Sequence, residues 1–313
     1  MITKSNITIH HTSILIIGVL ALLCSSCFTG VESTKKIEIS KTEQKEYEPS
    51  VEELFLSDIK PTPHINWSAG KRFFLTEDRV AYIFEPSSEN HFDMKLGGKI
   101  LSFYNLSSRI NVDGNESLIL TFSDGSSIYN YNSNKQPSDT LFSDQIPMMI
   151  DLDMIENLKT KLSGYKLWTK SSIWYDINGN IINGMKYVPI TIIDVKPGDK
   201  VFPANVIFTT ESGDTATMLM NIGTHGINSR SFANLFSLSD VRIKYPKTDN
   251  DIWELIQRGE IQIGMTKQEC SLSLGNPKDV TKGHDYSKTL ELWQYSDGIY
   301  LQFEDGILVN FRK

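Results

Sequence analysis

Short runs of alternating apolar and polar residues, separated by turn dipeptides, follow one another from about residue 67 to residue 134. Such alternation is typical of half-buried β-strands, because successive side chains of a strand face opposite sides of its sheet. The dipeptides Asp113-Gly114 and Asp124-Gly125 suit hairpin turns, since glycine adopts the positive φ that these turns require. The predicted strands are Arg79–Phe84, Lys99–Tyr104, Ser117–Phe122 and Ser127–Tyr131. A β-rich N-terminal region is therefore predicted over residues 51–150.

A helical pattern replaces the alternation after residue 150. Ile155, Leu158 and Leu162 recur at helical spacing, an aspartate precedes them, and Gly164 follows. Aspartate is a favoured N-cap and glycine a favoured residue after the last turn. One helix of about three turns is predicted within Asp151–Leu162.

Strand patterns then resume. The runs are Lys166–Thr169, Ile173–Asp176, Val188–Val195, Asn205–Thr210 and Thr215–Met220. Short strands joined by turns in this way suit a small barrel. The strand rhythm of Gly164–Ile222 resembles the bacterial SH3-like barrels of cell-envelope proteins. The resemblance implies a module that binds peptides or glycans and performs no chemistry, within a helix-plus-barrel region at residues 151–245.

Two helix signals open the last part of the chain. Ile252–Gln257 has helical spacing, and Thr266 with Glu269 forms a capping box, in which each side chain accepts the backbone amide of the other residue. Cys270 then falls on the buried side of this second helix and is predicted to be a small core residue. Gly275 is predicted to provide the left-handed exit from the helix.

Three strand patterns end the chain. They are Glu291–Tyr295, Ile299–Phe303 and Ile307–Phe311. Three-residue turns at both junctions pair Trp293 with Leu301 and Phe303 with Ile307, which places the apolar side chains on one face. A two-residue turn at Asp305-Gly306 would set Phe303 opposite Leu308 and break the apolar rows, so the longer turns are predicted. Two helices are expected to cover the apolar face.

The predicted register also defines the opposite face of this sheet. Its two rows are Leu292 with Gln302 and Leu308, and Gln294 with Tyr300 and Asn310. Half-apolar rows that include a tyrosine suit a protein-binding surface. Leu292, Tyr300 and Leu308 are therefore the candidate partner face, and contact with the protein's own barrel is the alternative.

Four sequence blocks carry a resemblance to the BamE (SmpA/OmlA) lipoprotein domain. The blocks are Gly264-Met265-Thr266, Leu274-Gly275-Asn276-Pro277, Trp293-Gln294-Tyr295 and Phe303-Glu304-Asp305-Gly306. The match covers about Asp251–Lys313, within a predicted domain at residues 246–313. The resemblance implies an α+β fold of two helices and a three-stranded meander. It also implies an outer-membrane lipoprotein that serves the assembly of β-barrel proteins, although the same unit occurs in proteins that bind and inhibit β-lactamases. Roughly 200 residues precede the domain here, whereas BamE has almost none.

The N-terminus resembles a bacterial lipoprotein signal. The apolar run Ile14–Leu23 makes about 15 Å of helix, half of a bilayer's hydrocarbon core, which favours a signal peptide over a membrane span. Ser25 and Ser26 then precede Cys27. The resemblance implies cleavage of residues 1–26 and a lipid on Cys27. An ordinary secretory signal and an uncleaved anchor are the alternatives.

A charged segment follows the leader. Residues 27–50 contain few apolar side chains that a core could bury. We interpret them as a flexible tether with a reach of about 25 Å. In this lipoprotein family, acidic residues directly after the cysteine are associated with surface export. Phe28–Val31 contains none, so an outer-membrane lipoprotein facing the periplasm is expected.

Composition limits the remaining classes. The chain has 313 residues, of which 40% are hydrophobic, and this excludes wholesale disorder. The 31 basic and 38 acidic residues give a net charge of −7, which argues against nucleic-acid binding. Three cysteines are too few for a disulfide framework, and after processing only Cys270 is left as a thiol.

Motifs that carry chemistry are absent from the sequence. The stretch Asp176–Asn180 begins like a calcium loop, but Ile181 and Tyr187 stand where glycine and a carboxylate are needed. The histidines outside the leader are His64, His91, His225 and His284. None has the spacing of a metal ligand set. No catalytic residue, metal or cofactor is predicted.

Together these patterns predict a β-rich, multi-domain protein made of a small β unit, an SH3-like barrel and a BamE-like α+β domain. The predicted function is a lipid-anchored, non-catalytic binding or scaffolding module of the cell envelope, in contact with the membrane through its lipid and with a protein partner. An inhibitor-like protein that binds a periplasmic hydrolase, and a cell-wall-binding module, are the alternatives.

Overall fold

Three antiparallel β-sheets contain most of the regular secondary structure in the described part of the chain, which confirms the prediction of a β-rich fold. A computed structural model describes residues 48–85, 94–139, 145–222, 230–285 and 288–313. The chain divides into Met1–Glu48 and Pro49–Lys313, and the described helices and strands all belong to the second unit. Cys27, the predicted leader and residues 27–47 of the predicted tether lie outside the described residues. Within the described residues, no helix is both long enough and apolar enough to span a bilayer.

The first sheet has six strands in the order β2-β5-β4-β3-β1-β6. They are β1 (Arg72–Leu75), β2 (Phe84–Glu85), β3 (Ile100–Ile110), β4 (Glu116–Ser123), β5 (Ile128–Asn132) and β6 (Met149–Asp151). A short helix α1, Val51–Phe55, precedes it and is capped by Ser50. Both predicted hairpin glycines adopt positive φ, 81° at Gly114 and 93° at Gly125. The sheet packs around a core of aromatic rings that includes Phe73, Phe103 and Phe122.

One predicted strand of this region is wrong. Residues Asp78–Ile83 form a 3-10 helix, and only Phe84 and Glu85 join the sheet. The physical reason lies in Val80 and Ala81, which are adjacent in the chain and both buried. A strand sends neighbouring side chains to opposite faces, whereas a tight helical turn buries two neighbours together.

The middle sheet has seven strands in the order β13-β7-β10-β11-β12-β8-β9. They are β7 (Lys166–Thr169), β8 (Ile173–Tyr175), β9 (Ile181–Asn183), β10 (Pro189–Pro197), β11 (Ala204–Thr210), β12 (Thr215–Met220) and β13 (Phe236–Ser237). All five predicted runs are strands, and β9 and β13 are additional. A one-turn helix α3, Phe232–Leu235, leads into β13.

The predicted helix before this sheet is confirmed as α2, Leu152–Leu162. Asp151 caps it by accepting the amide of Asp153 at 2.9 Å, and Gly164 follows it with a φ of 78°. Its buried side chains, Ile155, Leu158 and Leu162, belong to the same core as the inner face of the middle sheet.

The last part of the chain consists of two helices and a four-stranded sheet. The helices are α4 (Asn250–Arg258) and α5 (Lys267–Leu274), and the strands are β14 (Asp279–Asp285), β15 (Lys288–Gln294), β16 (Tyr300–Glu304) and β17 (Ile307–Arg312). The predicted capping box is present, with Thr266 and Glu269 each accepting the other's backbone amide. Trp253 of α4 and Cys270 of α5 share one core with Trp293 of the sheet, so the expected helical cover is confirmed.

Two details of this sheet correct the sequence prediction. The meander gains a fourth strand, β14, which contains a single large apolar residue, Val280, and therefore shows no alternation. The turn between β16 and β17 is the two-residue Asp305-Gly306, with φ of 46° and 85°, and it pairs Phe303 with Leu308. A bulge at Val309 then restores the apolar row by pairing Leu301 with Phe311. The predicted pairing of Trp293 with Leu301 is confirmed.

Candidate binding cleft

A cleft of about 610 Å³ lies between the outer face of the middle sheet and helix α4. Its volume is typical of ligand-binding sites, which measure roughly 300–1,000 Å³. We call it the Trp168 cleft. The sheet contributes Trp168, Pro189 and Glu211, and the helix contributes Trp253 and Glu254.

Two paired strand residues and one residue of the following turn form the sheet wall. Trp168 of β7 pairs with Pro189 of β10, and Glu211 continues the row beyond β11, because Ile190 pairs with Thr210. Ile190 is buried in the sheet's core. Because side chains alternate along a strand, the row containing Trp168 faces away from that core. The Trp168 ring is half-buried and is accessible from the cleft.

The helix wall follows from the spacing of residues in α4. Asn250, Trp253, Glu254 and Gln257 stand at positions i, i+3, i+4 and i+7, which share one face of a helix. Trp253 is 2% exposed, so only the edge of its ring reaches the cleft. The two amides and the carboxylate beside it give this wall a polar, planar lining.

A strained segment joins the two walls. Tyr187 has a φ of 57°, which is uncommon for a residue other than glycine. Its hydroxyl donates to the carbonyl of Leu272 at 3.1 Å, and the Lys186 amine donates to the carbonyl of Ser273. Both acceptors lie in the last turn of α5, where carbonyl groups have no partner within the helix. These bonds fix the C-terminal helices against the middle sheet.

The ionisation of this segment is set by burial. Burial raises the pKa of the Tyr187 hydroxyl to about 12, so the hydroxyl stays a donor across the physiological range. Burial also lowers the pKa of the Lys186 amine. The Tyr187 ring centroid lies 5.6 Å from that of Trp253, so the tyrosine forms the floor of the cleft between the two walls.

Arg242 supplies the positive charge among the residues that line the cleft. Its guanidinium carbon lies 5.3 Å from the centroid of the Trp253 ring, and the guanidinium donates to the side-chain oxygen of Asn250. Asp240 accepts the backbone amide of Arg242 at 2.8 Å and so holds the residue in place. The Arg242 guanidinium therefore already contacts two other residues that line the cleft.

The carboxylates of the lining outnumber this cation. Glu211, Asp240 and Glu254 face the same space as Arg242. Glu254 lies 3.8 Å from Arg258, a loose and exposed pair that stabilises little. Glu211 has no hydrogen bond or ion pair to another residue within the described part of the chain. The cleft therefore combines aromatic surface with an excess of negative charge.

Side chains that could ligate a metal ion are scattered over the described residues. Among them, no group of three or more His, Cys, Asp or Glu side chains is placed to hold a metal ion. The thiol of Cys270 is fully buried, and this burial raises its pKa to about 12. A neutral, inaccessible thiol is the core residue that the sequence predicts.

A second cavity of about 230 Å³ lies where the first sheet meets the middle one. Its lining is mainly apolar and includes Trp67, Phe73 and Met149. Its one carboxylate, Asp151, is bound at 2.8 Å by Lys71 and also caps α2. The Trp168 cleft is larger and has three carboxylates in its lining, so it is the better candidate for ligand binding.

The predicted partner face is only partly where the sequence places it. Leu292 is 44% exposed and pairs with Gln302, so the alternative of burial against the middle sheet is wrong for this residue. Tyr300 lies on the same face, with the guanidinium of Arg312 4.9 Å from its ring centroid. Leu308 is 0% exposed and lies in the core, because the two-residue turn and the bulge bring Asn310 opposite Gln302. The face is therefore more polar than predicted.

None of the cleft residues was predicted from the sequence to be functional. One signal was readable: in the predicted strand Lys166–Thr169, Leu167 and Trp168 alternate, so a tryptophan falls on the outer face. The opposing helix face could not be assigned to the same site, because its position depends on contacts distant in the chain. No family model, curated protein or solved structure matches this chain.

Proposed function

We propose that this protein is a lipid-anchored component of the cell envelope that acts as a non-catalytic binding or scaffolding module. The Trp168 cleft is the observation that carries the proposal. Its half-buried Trp168 ring supplies apolar contact area at a low entropic cost, and its planar polar groups fix the orientation of a ligand. A pair of rigid walls presents these groups to solvent.

The proposal also assigns two parts of the chain to known types of module. We take the middle sheet as an SH3-like module and the two helices with the last sheet as a BamE-like module. Support for the second comes from the order helix, helix, antiparallel sheet and from the capping box at Thr266. The lipid on Cys27 would hold the protein at the outer membrane, facing the periplasm. Assembly of outer-membrane proteins is the process that this combination favours.

The point where the chain enters the second unit supports an anchored binding site. Glu52 in α1 accepts hydrogen bonds from Ser237 and Leu238, each at 3.3 Å. Ser237 pairs with Trp168 across β13 and β7. The N-terminal end of this unit therefore lies beside the strand that carries the cleft tryptophan. A flexible tether of about 20 residues has a root-mean-square reach of about 25 Å, which would restrict this unit to the vicinity of the bilayer.

Site-specific cross-linking in intact cells tests the function. A photoreactive amino acid is placed at Ile243, which is 74% exposed and follows Arg242 of the cleft. The matched control position is Val112, which is fully exposed in the turn between β3 and β4. We expect one stoichiometric partner from position 243 and none from 112, with the yield reduced by Trp168→Ala.

The identity of the cross-linked species separates the related roles. A scaffold is expected to be linked to an outer-membrane complex, an inhibitor to a soluble hydrolase, and a cell-wall module to peptidoglycan. Equal cross-linking from both positions, or none from position 243 in protein of normal abundance, would contradict a binding function of the cleft.

A further inference from the structure

The Trp168 cleft has an uncompensated negative charge next to aromatic surface. Three carboxylates, those of Glu211, Asp240 and Glu254, face one guanidinium. That guanidinium contacts Asn250 and the Trp253 ring, and its single positive charge leaves the three carboxylates of the lining in excess by two. An incoming cation would find carboxylates whose charge is not balanced within the lining.

The Trp168 ring offers the second half of a cation site. The face of a tryptophan attracts ammonium and guanidinium groups within about 6 Å of the ring centre. Glu211 is the first residue after β11, which is the second strand from β7, so its backbone lies about 10 Å from that of Trp168. This distance lets one extended side chain lie on the ring while its charged end approaches the carboxylate.

A cation already lies over a tryptophan ring at another place in the cleft. The guanidinium carbon of Arg242 lies 5.3 Å from the centroid of the Trp253 ring, whereas Asp240 accepts only the backbone amide of Arg242. Trp168 and Glu211 place an aromatic ring and a carboxylate on the sheet wall. Among the described residues, no cationic side chain lies over the Trp168 ring.

We propose that the Trp168 cleft binds an extended peptide segment through a lysine or arginine side chain. The aliphatic part of that side chain packs on Trp168 and Pro189, and its charge pairs with Glu211 and Glu254. The space of about 610 Å³ accommodates the cationic side chain and a short stretch of the peptide that carries it. This inference rests on the proposed binding function and specifies the chemistry of the partner.

Binding of three labelled peptides to the purified protein without its leader tests the inference. The peptides have the same length and contain two lysines, two acetylated lysines or two glutamates in a glycine-serine background. Fluorescence anisotropy is measured at low and at high salt. We expect the lysine peptide to bind at least tenfold more tightly than the other two, and to weaken as salt rises, because the charges are partly exposed.

Matched variants locate the interaction. Trp168→Ala and Glu211→Gln are each expected to weaken binding of the lysine peptide at least fivefold. Tyr104→Ala removes an aromatic ring that is 61% exposed on the first sheet, and Glu116→Gln removes an exposed carboxylate there. These two controls are expected to leave binding unchanged. Circular dichroism of each variant verifies that it is folded.

Several results would overturn the inference. They are equal binding of the lysine and acetyl-lysine peptides, insensitivity to Trp168→Ala in folded protein, and Trp168-dependent binding of a chitin tetrasaccharide in place of the peptide. The outcomes also separate the two proposals. A partner cross-linked from position 243 without binding of the lysine peptide removes the cation chemistry alone, whereas the absence of both removes the binding function as well.

Discussion

Replacing Leu308 by alanine is expected to lower the free energy of unfolding by about 2–5 kcal/mol. Leu308 is fully buried, lies opposite Phe303, and packs in the core that α4 and α5 share with the last sheet. Truncation removes buried apolar surface and leaves a cavity that a tightly packed neighbourhood fills only in part. Denaturant unfolding monitored by circular dichroism measures the change.

Leu292→Ala is the matched control for this experiment. Leu292 lies in the same sheet but is exposed on its outer face, so the substitution is expected to change stability by no more than about 0.5 kcal/mol. The three-residue turn at Glu304–Gly306 would place both leucines on the outer face and predicts two small effects. Similar values for the two variants would therefore contradict the two-residue turn and the bulge at Val309.

Gly184→Ala is expected to destabilise the protein by about 1–3 kcal/mol. A Cβ atom on Gly184 would lie 2.1 Å from the Trp174 ring, much closer than non-bonded carbon atoms approach. The ring has little room to move, because its Nε1 donates to the carbonyl of Ser171 at 2.8 Å and its edge packs on Phe208. Gly184 lies three residues before Tyr187, which lines the cleft.

Gly283→Ala provides the comparison in the same chain. Gly283 lies in β14, and a Cβ atom there would meet no atom within 4 Å. Alanine restricts the unfolded chain more than glycine does, so this change is expected to be neutral or to stabilise the protein by up to about 1 kcal/mol. Thermal unfolding of both variants tests the pair. Equal midpoints for Gly184→Ala and the parent protein would contradict the close approach of the Trp174 ring.

Local patterns explain most of the fold that was predicted correctly. The capping box of Thr266 and Glu269, the cap at Asp151 and the glycines of the hairpins all act within a few residues, so their geometry can be read from spacing. The long runs in the middle sheet alternate clearly because one face is buried. The structure shows each of these features at its predicted position.

The errors have a common physical origin in tertiary contacts. The segment Asp78–Ile83 has strand-forming residues, but burial of the adjacent Val80 and Ala81 favours a helical turn. The β16–β17 turn was predicted from an unbroken alternation, whereas a single bulge allows the shorter turn and still buries Leu308 and Phe303. A bulge has no reliable signal in one sequence, because its gain comes from the partner strand.

One part of the candidate site can be predicted from the local sequence, and the other part depends on tertiary contacts. Trp168 on the outer face of its strand could be inferred from the buried Leu167 beside it. The approach of α4, which brings Glu254 to the same cleft, depends on hydrogen bonds from Lys186 and Tyr187 to the end of α5. Those contacts join residues more than 80 positions apart in the chain, and no local pattern announces them.

The proposed confinement of the Trp168 cleft to a membrane surface requires acylation of Cys27, and mass spectrometry of the mature N-terminus measures that acylation directly. The protein is purified from the membrane fraction of its native cells, and its N-terminal peptide is analysed before and after removal of ester-linked lipid. We expect a chain that begins at Cys27 and carries acyl groups. A chain that begins at any other residue, or a Cys27 without acyl groups, would contradict the anchored binding protein described here.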